Sequence, residues 1–316
     1  MKGKRGPLIT KEEITAAGFL APSFVGLLIF SVVPIVAAFV ISLLDWDILS
    51  PPKFIGFANY ITLWNELIKG ETLRIVLLNT IYFTAGTVPL SMAVSLAVAL
   101  LLNRKMWGVA GFRVIYFLPS VTSIVALSII WRLMYNPDYG LINRMLLAIK
   151  IPWATQGHFG LVPVVQHPPG WLGDPNWAMP AIIFMSIWAA LGYNSILYLA
   201  GLQGIGASYY EAAKIDGANS WQMFRNVTWP LLSPTTLFIF TMSVIAGFQV
   251  FTQIYMMTMG VPTPQTQVYV YHLYSQAFNS FKMGYASALA FVLFLIILLV
   301  TLIQLSITKR WVHYGS

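Results

Sequence analysis

The 316-residue chain contains no cysteine, which excludes a disulfide framework, thiolate catalysis and any Cys-ligated metal site. Charge is scarce as well: only 9% of residues are Asp, Glu, Lys or Arg, against about a quarter in an ordinary soluble domain. With 58% hydrophobic residues and a mean hydropathy of +0.74, a water-soluble fold is excluded. No Gly-x-x-x-x-Gly-Lys-Ser/Thr run occurs, so the chain lacks the usual loop for cradling nucleotide phosphates. The formal charge of +8 forms no dense basic face or aromatic-interleaved patch, so nucleic acid is not the partner. Most Lys and Arg residues instead flank apolar runs, as anchors at a membrane surface do.

Those apolar runs are what the composition consists of. Crossing about 30 Å of hydrocarbon takes about 20 helical residues. Charge-free stretches of that order lie near Ala16 to Leu44, Ile75 to Leu102, Val114 to Trp131, Ala178 to Leu202, Ser233 to Thr258 and Tyr285 to Thr308. Lipid offers the backbone no hydrogen-bond partner and nothing alternates like a barrel strand, so each run is predicted to be helical. The expected class is therefore all-α, a polytopic membrane protein with six transmembrane helices. Lys2, Lys4, Arg5 and Lys11 precede the first run, but its apolar stretch is too long for a signal core of about 7 to 15 residues, so it reads as an uncleaved span. Short basic segments around Arg104, Lys105, Arg113, Lys214, Arg225, Lys309 and Arg310 place both termini in the cytosol by the positive-inside rule. The organisation predicted is a cytosolic segment 1–15, a membrane domain 16–308 containing a cytosolic loop 203–230, and a cytosolic tail 309–316.

None of the ten acidic residues, Glu12, Glu13, Asp45, Asp47, Glu66, Glu71, Asp138, Asp174, Glu211 and Asp216, falls within a span. Ion-driven carriers commonly need an intramembrane carboxylate, so the driving force is expected to come from elsewhere. The outer loops carry Phe54 to Tyr60 and Asn136 to Asn143, rich in turn formers and interfacial aromatics. The segment 152–169 holds His158 and His167, too far apart and too isolated to bind a metal, so no metal site is predicted.

The loop between the fourth and fifth spans is the most informative stretch. Ser208 to Ile215 reads as a short helix, with Ser208 as cap, Glu211 three residues on as in a capping box, and Ala212 and Ala213 as strong helix formers. Gly217 breaks it, a second short helix is predicted from Asn219 to Asn226, and Pro230 starts the next span. Two small helices at an angle make a compact knob whose alanines let it enter a groove closely.

Glu211-Ala212-Ala213, three residues, Gly217, nine residues and then Val227-Thr228-Trp229-Pro230 resemble the EAA motif of ABC importer permeases. Val227 and Trp229 depart from the usual Ile-x-Leu-Pro ending. The resemblance runs through most of the chain, including Phe117-Leu118-Pro119-Ser120, Asn136 to Asn143, Trp171-Leu172-Gly173-Asp174-Pro175 and Gly284 to Ala288, and is greatest to permeases of the maltose and glycerol-phosphate importer type. It implies that Glu211, Ala212, Ala213, Asp216, Gly217 and Pro230 belong to an element docking on a separate dimeric ATPase, which would hold the ATP and Mg. It also implies a second, homologous permease, an extracytoplasmic solute-binding protein and a bacterial cytoplasmic membrane. This chain would carry no cofactor and no enzymatic activity of its own.

Polar and aromatic groups in spans four and five are candidates for the solute path: Ser186, Trp188, Tyr193, Asn194 and Ser195, then Ser243, Gly247, Gln249, Thr252 and Gln253. Rings suit the apolar faces of a sugar, and amides and hydroxyls suit its hydroxyls. By the resemblance, sugar contacts would fall near Ser186, Ala189, Ala190 and Tyr193, and near Ser243, Ala246 and Gly247. Neither helix holds an Arg or Lys, which favours a neutral sugar, oligosaccharide or polyol over glycerol phosphate. A secondary carrier would require an intramembrane ionisable residue or an inverted repeat, and neither is present.

Overall fold

The computed structural model describes residues 11–103, 109–149 and 169–308. The segment 152–168 with His158 and His167, residues 1–10 and the tail 309–316 lie outside the described residues. Two compact units are distinguished, one comprising 1–64 with 273–294 and the other 65–272 with 295–316.

In the first unit, α1 (Lys11–Leu27) runs through a π-helical turn (Leu28–Val32) into α2 (Val33–Ser42), giving one apolar helix over Thr15–Ser42. A short hairpin follows, β1 (Leu44–Asp45) antiparallel to β2 (Lys53–Phe54), with Leu44 opposite Phe54. Its tip is held by Asp47, whose Oδ1 accepts from the Ser50 hydroxyl and the amides of Leu49 and Ser50. Those donors, the Ser50 hydroxyl first, hold the Asp47 carboxyl below its ordinary pKa. Asn59, in α3 (Ala58–Lys69), ties the hairpin down by donating to the carbonyls of Ser42 and Leu44. Gly284 belongs to this knot: a Cβ there would collide with the Leu44 carbonyl oxygen, and its amide donates to Trp46 O.

The second unit is organised around α4 (Thr72–Leu102), a 31-residue helix. Its buried side includes Thr80, Thr84, Ser91 and Ser95. Thr80, Thr84 and Ser91 return their hydroxyl protons to carbonyls three or four residues back, which makes them tolerable in hydrocarbon. Next come α5 (Val109–Val121), α6 (Ile124–Met134), α7 (Leu141–Ile149) and α8 (Ala178–Gln203). α4 and α8 meet through small groups: Ser195 Oγ donates to Ser95 O at 3.2 Å, and Gly86 faces Ile183 so closely that a Cβ would sit 2.9 Å from its methyl. Close approach of this kind stabilises helix pairs where lipid removes the apolar drive.

α9 (Ala207–Ile215), α10 (Ser220–Met223), a π-helical turn (Phe224–Thr228) and α11 (Trp229–Leu231) lead into α12 (Ser233–Phe248). Then come α13 (Thr252–Met257), α14 (Tyr269–Tyr274), a π-helical turn (Ser275–Asn279) and α15 (Met283–Thr308), whose first part belongs to the first unit.

Four of the predicted spans are continuous helices long and apolar enough to cross a membrane: Thr15–Ser42, Thr72–Leu102, Ala178–Gln203 and Met283–Ile307. The other two are not straight. The third bends by 108° between Val114–Val121 and Ile124–Met134, where Pro119 weakens the ladder and Ser123, at φ −55° and ψ 131°, leaves helical geometry. The fifth bends by 63° before Ser233 and stops at Phe248, so the predicted run to Thr258 is interrupted at Gln249 to Phe251.

The two motif stretches Asn136 to Asn143 and Trp171 to Pro175 prove to be one construction. Asn143 is buried; its amide donates to the carbonyls of Pro137 and Pro169, and its oxygen accepts from Trp171 Nε1 at 2.6 Å. Gly140 is required because a Cβ would collide with Asn136 O. Replacing Asn143 with Ala orphans several buried groups, so we expect a loss of about 1–3 kcal/mol. Thermal unfolding in detergent should show a lowered Tm with Asn143→Asp retaining part of the stability; an unchanged Tm for Asn143→Ala would remove this clasp from the fold.

Candidate functional site

The loop between α8 and α12 folds as two short helices joined by a sharp reversal. α9 starts one residue earlier than predicted, with Gly206 at its N-cap and no side-chain cap, so the Ser208 cap and its box with Glu211 do not form. Ser208 lies inside the first turn instead. The other end is sharply defined. The amide of Ala218 bonds to Ala213 O at 2.9 Å and that of Gly217 to Lys214 O at 3.1 Å, a Schellman motif with Gly217 at φ +76°. A Cβ on Gly217 would meet nothing within 4 Å. The glycine is therefore needed for its left-handed backbone and not for side-chain room.

The second helix has the box that the first lacks. Asn219 Oδ1 accepts from the Gln222 amide at 2.9 Å, and Gln222 Oε1 accepts from the Asn219 amide at 2.8 Å. The predicted helix Asn219 to Asn226 is in fact α10 followed by the π-helical turn. The Tyr210 and Thr228 hydroxyls meet at 3.2 Å, fastening α9 to the turn that feeds α11 and α12. Pro230 is the second residue of α11, directly after the π-helical turn in the continuous helical stretch Ser220–Leu231.

What the element leaves uncovered is as informative. Glu211, Ala212 and Asp216 are exposed and Ala213 half-buried. Beside them Ile215 is 86% exposed and Trp221 66% exposed, with Trp221 stacked on Phe224 at 5.7 Å. A compact, internally bonded knob presenting aliphatic and aromatic side chains beside two carboxylates is suited to gripping by a protein partner. Tyr210, Thr228 and the exposed Trp221 were not singled out from the sequence. No local signal marks them, because pairing across 18 residues is set by the fold.

α8 and α12 hold the residues predicted to line a path. Ser186, Ala189, Ala190 and Tyr193 recur at helical spacing and share one face. Along it, exposure rises from buried Ser186, whose hydroxyl is returned to Ile182 O at 2.8 Å, to Tyr193 at 53%. Asn194 and Ser195 are buried, and Ser195 is occupied by the bond to α4. Trp188 rests edge-on against buried Trp131 at 5.5 Å, the start of a ring series that continues through Tyr135, Trp171 and Trp177. Ser243, Ala246 and Gly247 share a face of α12, but Gly247 is pressed on α4, where a Cβ would come 2.8 Å from Thr84. Gln249 lies at the end of α12 and is exposed, and Thr252 and Gln253 belong to α13. No cluster of His, Asp or Glu capable of holding a metal occurs among the described residues. His272 is buried in α14, and burial pushes its imidazole below the ordinary pKa.

The family described as binding-protein-dependent transport system inner membrane component matches residues 69–313. The lactose transport system permease protein LacF of Rhizobium radiobacter is 36% identical over 292 residues, covering 90% of this chain and 91% of that protein. The arabinooligosaccharides transport system permease protein AraP of Bacillus subtilis (strain 168) is 31% identical over 306 residues, covering 94% and 89%. Among solved structures, a chain of a bacterial alginate ABC transporter, crystallised with an alginate pentasaccharide-bound periplasmic protein, superposes with a TM-score of 0.78. It does so at 23% identity over 97% of this chain and 98% of that one.

The Schellman turn gives a direct test. A Val at position 217 in left-handed geometry is strained by about 1–2 kcal/mol, enough to re-aim α10 relative to α9. Gly217→Val should therefore insert at normal levels yet lose most solute uptake, while Gly217→Asn, which tolerates that geometry, should retain much of it. Equal uptake by the Val variant and the parent would remove the turn from the mechanism.

Proposed function

Because the chain belongs to the family of binding-protein-dependent transport system inner membrane components, we propose that it works as one of two permease halves of an ATP-driven importer of a sugar, oligosaccharide or related polyol. The observation that carries the mechanism is the knob between α8 and α12. It is rigid within itself, bonded to α12 through Tyr210 and Thr228, and presents exposed apolar groups beside Glu211 and Asp216.

In this reading a dimer of separate ATPase subunits, holding ATP and Mg, grips the α9–α10 element. Closure of the dimer moves it as a lever, and the shift passes into α12 and, through the small-residue contacts, into α4 and α8. The pathway opens to the outside and receives solute from an extracytoplasmic binding protein, with a second, homologous permease completing the pore. The bent pair Val114–Val121 with Ile124–Met134 counts as one span and α12 as another, the stretch Ser220–Leu231 staying in the cytosolic loop, giving six with both termini in the cytosol of a bacterial cell and the membrane domain over 16–308. The docking residues are Glu211, Ala212, Ala213, Asp216 and Gly217, with Pro230 in α11, the short helix that leads into α12 across the 63° bend. Ser186, Trp188, Tyr193 and Asn194 from α8, and Ser243, Gly247 and Gln249 from α12, form or support the path, Gly247 by letting α12 approach α4.

The alternative solute is glycerol phosphate or another small molecule, since a glycerol-3-phosphate permease of Agrobacterium fabrum is 28% identical over 264 residues. The absence of Arg and Lys from α8 and α12 argues for the neutral solute. An ion-coupled carrier is disfavoured by the same helices, which hold no carboxylate.

The experiment is reconstitution of the permease pair, its ATPase and its binding protein in proteoliposomes. Lactose, arabinotriose and a mannuronate trisaccharide are offered with and without internal ATP. Uptake of at least one, dependent on ATP and on the binding protein, is the expected result, and uptake by the permease alone without nucleotide would overturn the proposal. Tyr193→Ala should lower that uptake several-fold with assembly intact; unchanged concentration dependence would take Tyr193 out of the path.

A further inference from the structure

A cavity of about 610 Å³ opens where the C-terminal ends of α6 and α13 meet the turn that enters α8. No residue named above as lining the solute path contributes to it. Its size lies in the range of small-ligand sites, roughly 300 to 1,000 Å³. Under the sidedness proposed above, it is on the outer side of the membrane, and its contents would next meet α8. From Ala178 to Ser186 is about 12 Å along the helix axis, so the cavity lies at the entrance to the face that ends in Tyr193.

Its polar lining residues come from different elements. Arg132, in the last turn of α6, spends one donor on Met256 O at the end of α13, at 3.4 Å, which holds the guanidinium toward the cavity. Asp174 lines the opposite chain segment; its Oδ1 accepts from the Asn176 amide at 2.8 Å, and its second oxygen is not part of that bond. Asn136 adds an amide, fixed by the bonds its oxygen accepts from Asp138 and Tyr139. The floor is formed by Tyr135, whose hydroxyl donates to Ala181 O, and by Met257, both buried. The walls are rigid for a loop region, because the Asn143 clasp joins the segment after α6 to Pro169 and Trp171.

We propose that this cavity is an entry subsite for one hydroxylated sugar unit of the solute, with Arg132 and Asp174 as its hydrogen-bonding pair. The proposal rests on the reading of the chain as a sugar permease. A free anion would face the Asp174 carboxylate and a free cation the Arg132 guanidinium, whereas a diol uses both, donating to the carboxylate and accepting from the guanidinium. A ring face can lie on Tyr135 or the thioethers. A zwitterionic lipid headgroup has the same charge pattern, but its acyl chains would need an apolar exit, and the floor leads into the packed interior around Trp131, Met185 and Ile254.

The absence of cysteine makes a clean experiment possible. Gly173 lines the cavity, has ordinary φ, and a Cβ there meets only Gly170 O at 3.4 Å, so Gly173→Cys installs this chain's one thiol without strain, and modification is read on this chain after the subunits are separated. The complete importer carrying this variant is placed in nanodiscs, and the rate of modification by a methanethiosulfonate reagent is measured with lactose, arabinotriose or the mannuronate trisaccharide. At least one sugar should slow the reaction about fivefold at saturation. Adding Arg132→Gln, or Asp174→Asn, which keeps the turn's acceptor, should raise the concentration needed for protection about tenfold, the cost of one hydrogen bond to a charged group. Lack of protection by all three sugars, or equal protection in both variants, would overturn the subsite. So would protection by sugar-free binding protein alone, which would make the cavity a protein socket, or protection by phosphatidylethanolamine but not phosphatidylcholine discs, which would make it a headgroup site. ATP-driven import by Gly173→Cys, measured in parallel, tests the sugar-permease reading separately from the subsite.

Discussion

Helices surrounded by lipid gain nothing from hiding apolar surface against one another, so their association depends on how closely their backbones approach. In the second unit that approach is made along α4. Gly86 accepts Ile183 of α8, Thr84 fills the space left by Gly247 of α12, and the Ser95–Ser195 bond crosses between α4 and α8. The two helices that bear the predicted path are thus each fixed to the same third helix through atoms that leave no slack. A displacement delivered to α12 is passed on as a rigid movement because those contacts are backbone-deep and not side-chain cushions.

The same constraint explains where the chain departs from straight helices. A bend frees backbone groups that lipid cannot satisfy, so it is tolerated only where protein or water covers it. The breaks at Ser123, before Ser233 and at Gln249 to Phe251 fall around the helices that carry the candidate path and beside the knob, and the cavity at the end of α13 lies past the last of them. Irregular backbone and polar groups are therefore found together, as in transport proteins that bind at discontinuous helices.

Much of the arrangement was legible from residue order. Long charge-free runs gave helices within a few residues of those found, because in lipid there is no competing backbone solution. Gly217 and the alanines before it gave the reversal and the knob, because left-handed geometry is local chemistry. The bend in the third run and the break in the fifth at Gln249 to Phe251 were not legible because hydropathy carries no information on direction: Pro119 and Ser123 weaken a helix equally whether it kinks slightly or by 108°. The cap on α9 was misplaced because Ser208 satisfies the pattern, yet Gly206 already holds the N-cap position.

What the amino-acid order alone determined was therefore the kind of molecule: membrane-embedded, helical, without metal-binding thiols or a nucleotide loop, and with one hinged element between its fourth and fifth apolar runs. These follow from composition, periodicity and local torsion preferences. Only the tertiary structure decided that Gly247 serves packing, that Tyr210 is bonded to Thr228, that Asn143 clasps two distant loops, and that Arg132 and Asp174 face one cavity. Each of these joins residues far apart in the chain, and such pairings are selected by the mutual fit of whole helices, which no local segment encodes.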